Sequence, residues 1–252
     1  MRSSLSILSM SGMAVAMLCL AAHSGFAQST ARPVLVELFT SEGCSSCPPA
    51  DKLLRDIAGK STDSGETVVA LSEHVTYWNY LGWADPFSAE IFTQRQAAYE
   101  DRFRLDSSYT PQIVVNGTRQ FVGSNDAGVM RAVRTPMAAT TVRVSISSAK
   151  LLGDHVDVAF TLAGDVPHDA DLFAVLADDA DSSHVQRGEN SGETLQHVSV
   201  ARSMERIVSA GASNAKTIRL SVPSGGTQPR HVVLFLQTKG LGPVLAIDTR
   251  PI

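Results

Sequence analysis

The sequence predicts an α/β domain over residues 33–137, followed by a mostly antiparallel, β-sandwich-like domain over 140–252. Three observations carry that expectation. A short, nearly continuous apolar run from Val34 to Phe39 leads into a Cys-x-x-Cys motif placed to open a helix. A Thr110-Pro111 step later precedes a hairpin pattern and a further helix. From Thr141 onward, short alternating apolar runs recur between polar and Gly/Pro turns, the pattern of half-buried antiparallel strands.

Val34 to Phe39 has the composition of a strand buried on both faces. After the loop 40–43 come Cys44, Ser45, Ser46, Cys47, Pro48 and Pro49. Proline is tolerated in the first turn of a helix, where no backbone donor is needed. Leu53, Leu54 and Ile57 then recur at helical spacing until Gly59 closes the helix. Thr67 to Leu71 is a second buried strand. The segment from His74 to Pro86 is rich in aromatics, with Tyr77, Trp78, Tyr80 and Trp83. The helix that follows turns Phe92, Tyr99 and Phe103 inward and ends near Leu105. Ile113–Val115 and Gln120–Val122 flank Asn116-Gly117, a tight hairpin turn. A last helix is expected over roughly 125–134.

Beyond residue 140 the runs are Val142-Val144-Ile146, Val156-Val158-Phe160, Leu172-Ala174-Leu176, Ile218-Leu220, Val232-Leu234-Leu236 and Leu245-Ile247. Asp178, Asp179 and Asp181 lack the spaced ligands and glycine of a calcium loop, which leaves a solvated turn. Arg187 to Gly192, with His197, is the most motif-like stretch of this half, and a glycine-bounded hairpin explains it. No catalysis is expected there. The domain is expected to shield a site, bind a partner or mediate dimerisation.

Composition excludes several classes. Apolar residues make up 44% and charged residues 18% of the 252, too apolar for a disordered chain. A net charge of −4 argues against a nucleic-acid binder held by bulk positive charge. The three cysteines are Cys19, Cys44 and Cys47, too few for a disulfide-dense scaffold or a four-cysteine zinc site. Arg2, a strongly apolar stretch from Met13 to Ala22 and the small residues Gly25 and Ala27 have the order of a secretory signal peptide over 1–27. Its apolar centre is shorter than the ~20 residues needed to span a bilayer, so no stable membrane span is expected after cleavage. Cys19 leaves with the leader, and the chain is expected to be exported, periplasmic or secreted.

A CxxC pair at a helix start brings two thiols within disulfide reach, and the helix N-terminus stabilises negative charge on the first sulfur. Cys44 is then an exposed, low-pKa nucleophile, and Cys47, one turn in, the resolving thiol. Closing so short a loop gains little stability, which weighs against a purely structural disulfide. Glu42 lies near enough in sequence to raise the Cys44 pKa by like charge. His74 has three readings: a general base, a metal ligand with Cys44 and Cys47, or a hydrogen-bonded structural histidine.

Strand, CxxC, helix, strand, helix, then proline, hairpin and helix is the order of the thioredoxin fold. Residues 34–51, 71–87, 109–125 and 187–190 resemble the exported thioredoxin-like family catalogued as domain of unknown function 1223. That resemblance implies a cis proline at Pro111 packed beside the CxxC, with Thr110 hydrogen-bonding an extended substrate. It also implies a strand acid, Glu37, below the resolving cysteine to accept its proton; a charge facing outward at the strand edge is the alternative. The Cys44, Cys47 and His74 set resembles copper-delivery proteins of this fold, although those have a longer cysteine spacing. The expected function is thiol–disulfide exchange with protein or small-molecule thiols and disulfides, needing no diffusible cofactor. The alternatives are a copper-binding or metallochaperone module and a redox-inert interaction protein.

Overall fold

The computed structural model describes residues 32–135, 140–207, 213–223 and 229–252; the expected leader, 1–27, lies outside them. The strands are β1 (Arg32–Thr40), β2 (Glu66–His74), β3 (Gln112–Val115), β4 (Arg119–Val122), β5 (Arg143–Leu152), β6 (His155–Ala163), β7 (Ala170–His184), β8 (Thr194–Ile207), β9 (Ser213–Ser221), β10 (Arg230–Thr238) and β11 (Val244–Pro251). The α-helices among the described residues are α1 (Pro48–Ile57), α2 (Glu90–Phe103) and α3 (Asp126–Val133).

The expected fold class is overturned by the sheet topology. Eight strands form one mixed sheet in the order β11-β10-β7-β8-β2-β1-β3-β4, and β5-β6-β9 form a second. The protein is therefore mostly β, with strands from both halves of the chain hydrogen-bonded into one sheet. It is not an α/β thioredoxin fold followed by a sandwich. The join is β2 to β8, parallel, with Ser72 opposite Val200.

Strand β8 explains why sequence pattern misses that join. Register shifts between Leu176 and Ala177 where β7 pairs β8, and Ser199 takes a φ of 48° within β8. Such an irregularity breaks the period-two alternation that marks a strand. Strand β7 also continues through Asp178, Asp179 and Asp181, so the acidic stretch is strand rather than turn.

The large sheet is covered on both faces. Along β1, Val34, Val36 and Leu38 pack with Leu53, Leu54 and Ile57 of α1 and Val129 and Val133 of α3. On the same face farther along, Leu172, Ala174 and Leu176 of β7 and Val232, Leu234 and Leu236 of β10 meet Val156, Val158 and Phe160 of β6. The opposite face carries α2, where Phe92 packs with Leu35, Leu71, Val175 and Phe235. Asn116 and Gly117 take φ values of 49° and 64°, the left-handed pair of a tight turn closed by the Thr118 N–H on the Val115 carbonyl at 3.0 Å, within a three-residue loop between the paired Val115 and Arg119.

Candidate functional site

Cys44 and Cys47 form a disulfide, with Cα atoms 5.4 Å apart. Cys47 is the N-cap of α1, and Pro48 and Pro49 fill its first positions. The carbonyl of Cys47 accepts from the N–H groups of Ala50 and Asp51 at 2.9 and 3.1 Å. The sulfurs therefore sit at the positive end of a helix. One expectation is corrected: Cys44 is 0% exposed, not an open nucleophile. Ser45 and Ser46 beside it are exposed.

The cover comes from the second half of the chain. Asn190 Nδ2 donates to the carbonyl oxygens of Glu42 at 2.8 Å and Cys44 at 3.0 Å. The Ser45 N–H donates to Glu189 Oε2 at 3.1 Å. The motif-like stretch at 187–190, explained from sequence as a hairpin, thus holds the disulfide loop.

Thr110–Pro111 is a cis peptide bond. An added Cβ at Gly123 would lie 2.7 Å from Pro111 Cβ and 2.5 Å from Ala50 Cβ. Only a glycine lets the chain pass between Pro111 and the first turn of α1. The Thr110 hydroxyl accepts from Trp78 Nε1 at 2.8 Å. From the same aromatic segment, Trp83 Nε1 donates to Glu42 Oε2 at 2.7 Å, so the segment bonds both the cis-proline step and the loop before Cys44.

Glu37 does not lie under Cys47. It alternates with Val36 and Leu38, which face α1, and so points to the α2 side. There Arg95 Nε donates to Glu37 Oε1 at 2.6 Å and the Tyr99 hydroxyl donates to Oε2 at 2.7 Å. Among the described residues no hydrogen bond or ion pair joins Glu37 to either cysteine. The period of two fixes which residues share a face, but not which helix covers that face. Glu73 lies against the same guanidinium at 3.8 Å. Burial first, and then the Glu37 charge, push its carboxyl well above the usual range.

The acid–base groups next to the disulfide are others. Asp51, 4% exposed on α1, lies 3.6 Å from His197 Nδ1, and Glu42 Oε1 lies 3.4 Å from His197 Nε2. Both contacts are ion pairs when the ring is protonated, and among the described residues neither ring nitrogen of His197 has a hydrogen-bond partner. Burial alone would lower the imidazole, but the Asp51 and Glu42 carboxylates outweigh it and raise its pKa to about 9. Glu42 also accepts from the Ser183 hydroxyl.

His74 is fully buried, with Nδ1 2.7 Å from Asp85 Oδ2 and Nε2 3.3 Å from Ser72 Oγ. Asp85 Oδ2 also accepts from the Glu42 N–H at 2.8 Å. Burial raises the Asp85 carboxyl, but His74 and the backbone donors hold it below the usual range. The structure thus engages His74 with Asp85 and Ser72 and joins the two sulfurs to each other. Among the described residues, no group of three or more His, Cys, Asp or Glu is placed to hold a metal ion.

Sequence reasoning missed Asp51 and Asp85, and singled out the stretch holding Asn190, with His197, without assigning either to the site. Asp51 had a local signal, an acid one turn beyond the second cysteine on the helix it caps. His197, Asn190 and Ser183 arrive through strand pairing more than a hundred residues away, which no local pattern carries.

Fold and site together define a protein with a mixed sheet and a covered CxxC disulfide at a helix start, beside a buried histidine–carboxylate cluster. The chain belongs to the family described as Protein of unknown function (DUF1223), whose model matches residues 35–237. No match was found among curated proteins. Among solved structures it is similar to the crystal structure of an Agrobacterium tumefaciens protein, with 27% identity and a TM-score of 0.62, covering 87% of this chain and 94% of that one. A β-glucosidase from Kluyveromyces marxianus in complex with glucose is 12% identical over 62% of this chain and 16% of its own, with a TM-score of 0.24, too distant to carry an argument.

Proposed function

We propose that this protein is an exported thiol–disulfide oxidoreductase cycling the Cys44–Cys47 pair. The observation that carries the proposal is a CxxC disulfide at the N-terminus of α1 with His197, Asp51 and Glu42 buried beside it. A helix N-terminus stabilises a thiolate at Cys44. Asp51 and His197 are then the groups that take and return the proton of Cys47, since Glu37 is bonded to Arg95 and Tyr99 on the other side of the sheet. Thr110 and Pro111 form the wall against which an extended substrate lies.

In the reductive direction, the Cys44 thiolate attacks one sulfur of a substrate disulfide. An S–S bond forms between Cys44 and substrate as the substrate's own S–S bond breaks and its other sulfur leaves as thiolate. Cys47, deprotonated, then attacks the Cys44 sulfur, closing the internal disulfide and expelling the second substrate thiolate. Two electrons pass from the dithiol to the substrate; the Cys47 proton, taken up beside it, goes to one departing thiolate, and the proton that Cys44 released to solvent on ionising returns to the other. Reversing the steps oxidises a substrate dithiol. Because Cys44 is covered, displacement of the 185–193 segment precedes attack.

Export is supported by the order of residues 1–27 and by the disulfide itself, since disulfides persist in oxidising compartments. The test is insulin reduction by the full mature chain with dithiothreitol as electron donor. Turnover that disappears in Cys44→Ser supports the proposal. Thiols unreactive toward a small disulfide under native conditions sink it and favour a redox-inert interaction protein.

A further inference from the structure

A second concave site lies on the other face of the sheet, where α2 runs out. Strands there are ~4.8 Å apart, so β1, β2, β8, β7 and β10 span roughly twice the ~10 Å width of one helix. Beyond α2 the apolar face stays partly open, and Phe173 and Met204 are each 9% exposed. A cleft of about 360 Å³ forms between Ile91, Gln94 and Ala98 of α2, these two residues and the turn at Thr238–Leu241. That volume falls within the ~300–1,000 Å³ of small-molecule sites.

Its lining carries more cations than carboxylates, with the Arg95 charge paired to Glu37 behind the wall. Arg95, Arg206 and Lys239 line it against a single carboxylate, Asp171, which Arg206 pairs at 3.4 Å. Arg95 is the built element, 5% exposed and fixed by Glu37 and Gln237. Those bonds use Nε and Nη2. Nη1 has no acceptor among the described residues, and it is not among the buried side-chain atoms left without a partner. A rigid, pre-oriented guanidinium edge over an apolar floor recognises a planar anion on a short apolar body.

We propose that this cleft binds a small carboxylate amphiphile. Its head lies on Arg95 Nη1, with Arg206 at the rim, and its chain lies along Phe173, Met204 and Leu241. The inference is independent of the redox proposal.

The test is calorimetric titration of the oxidised mature chain with octanoate, with octan-1-ol as the uncharged control, alongside side-chain ¹⁵N resonances of Arg95. Single-site octanoate binding is expected, with octanol at least about tenfold weaker for loss of a charge-assisted hydrogen bond. The Arg95 guanidinium resonance shifts with octanoate. Arg206→Ala weakens octanoate about threefold, the effect of a rim charge, and Ala98→Trp, which fills the cleft, abolishes binding. The proposal is overturned by no saturable binding at millimolar octanoate, by octanol binding equally well, or by affinity that survives Ala98→Trp in a folded variant.

Discussion

Asn190 is the residue through which access to the disulfide is most directly tested. Its amide donates two hydrogen bonds, to the Glu42 and Cys44 carbonyls at 2.8 and 3.0 Å, and among the described residues no other donated side-chain bond ties the 185–193 segment to Cys44 itself. Each such bond is worth about 1 kcal/mol net, because opening exchanges it for water. Asn190→Ala therefore shifts local opening by up to about 2 kcal/mol, or about thirtyfold in the open population. The Ser45 N–H bond to Glu189 survives the substitution, so a gain of about five- to thirtyfold is expected. The assay is the pseudo-first-order rate of disulfide reduction by dithiothreitol at neutral pH without denaturant. Aliquots are alkylated and weighed by mass spectrometry, and urea unfolding separates local from global opening. A rate within about twofold of the parent, a few tenths of a kcal/mol, in a variant with intact secondary structure would refute the cover as the barrier to reaction.

Other outcomes follow from the buried charges. His197 has a folded pKa raised from 6.5 to about 9. Its stabilisation is thus fully present below about pH 6.5 and lost as pH rises through about 9, at most about 3 kcal/mol; His197→Gln is expected to flatten urea stability across that window. Arg95→Leu strands Glu37 and Glu73 and should cost about 3–5 kcal/mol. Glu73→Gln, at a carboxyl whose pKa burial raises well above the usual range, should change stability by less than about 1 kcal/mol; chemical denaturation at pH 7 separates the two. Burial, with Asp178 beside it, raises Asp181 to about 6, so ionising it opposes folding as pH rises through that value. Asp181→Asn should raise the melting temperature at pH 8 and leave it nearly unchanged at pH 4.

Local elements were legible where one segment's chemistry decides them. The Val34–Phe39 run, the prolines after Cys47, the Leu53/Leu54/Ile57 spacing and Asn116-Gly117 each specify backbone structure through nearest neighbours, and β1, α1 and the hairpin stand close to the expected residues. The architecture was not legible, because a strand's pattern shows which residues face inward but not which strand lies beside it. β8 illustrates this: its irregularity at Ser199 hides it, and its parallel contact with β2 makes one sheet of two expected domains. The cysteine pair was visible from spacing alone as two residues within disulfide reach. Its burial and its histidine–carboxylate neighbours were not, because they depend on that same long-range pairing. Glu37 shows the converse, a suspicious buried acid correctly noticed whose partner, Arg95, lies on a face the alternation could not name.

The claim that matters most is that Cys44–Cys47 is a working redox couple rather than a fixed staple, and its equilibrium reduction potential tests this directly. The chain from Gln28 onward is equilibrated in graded dithiothreitol and glutathione buffers at pH 7, quenched and counted for free thiols. The expected result is a reversible two-electron transition between about −270 and −120 mV, the range of exchange-active pairs. A pair that stays oxidised below about −300 mV, as structural disulfides do, contradicts it.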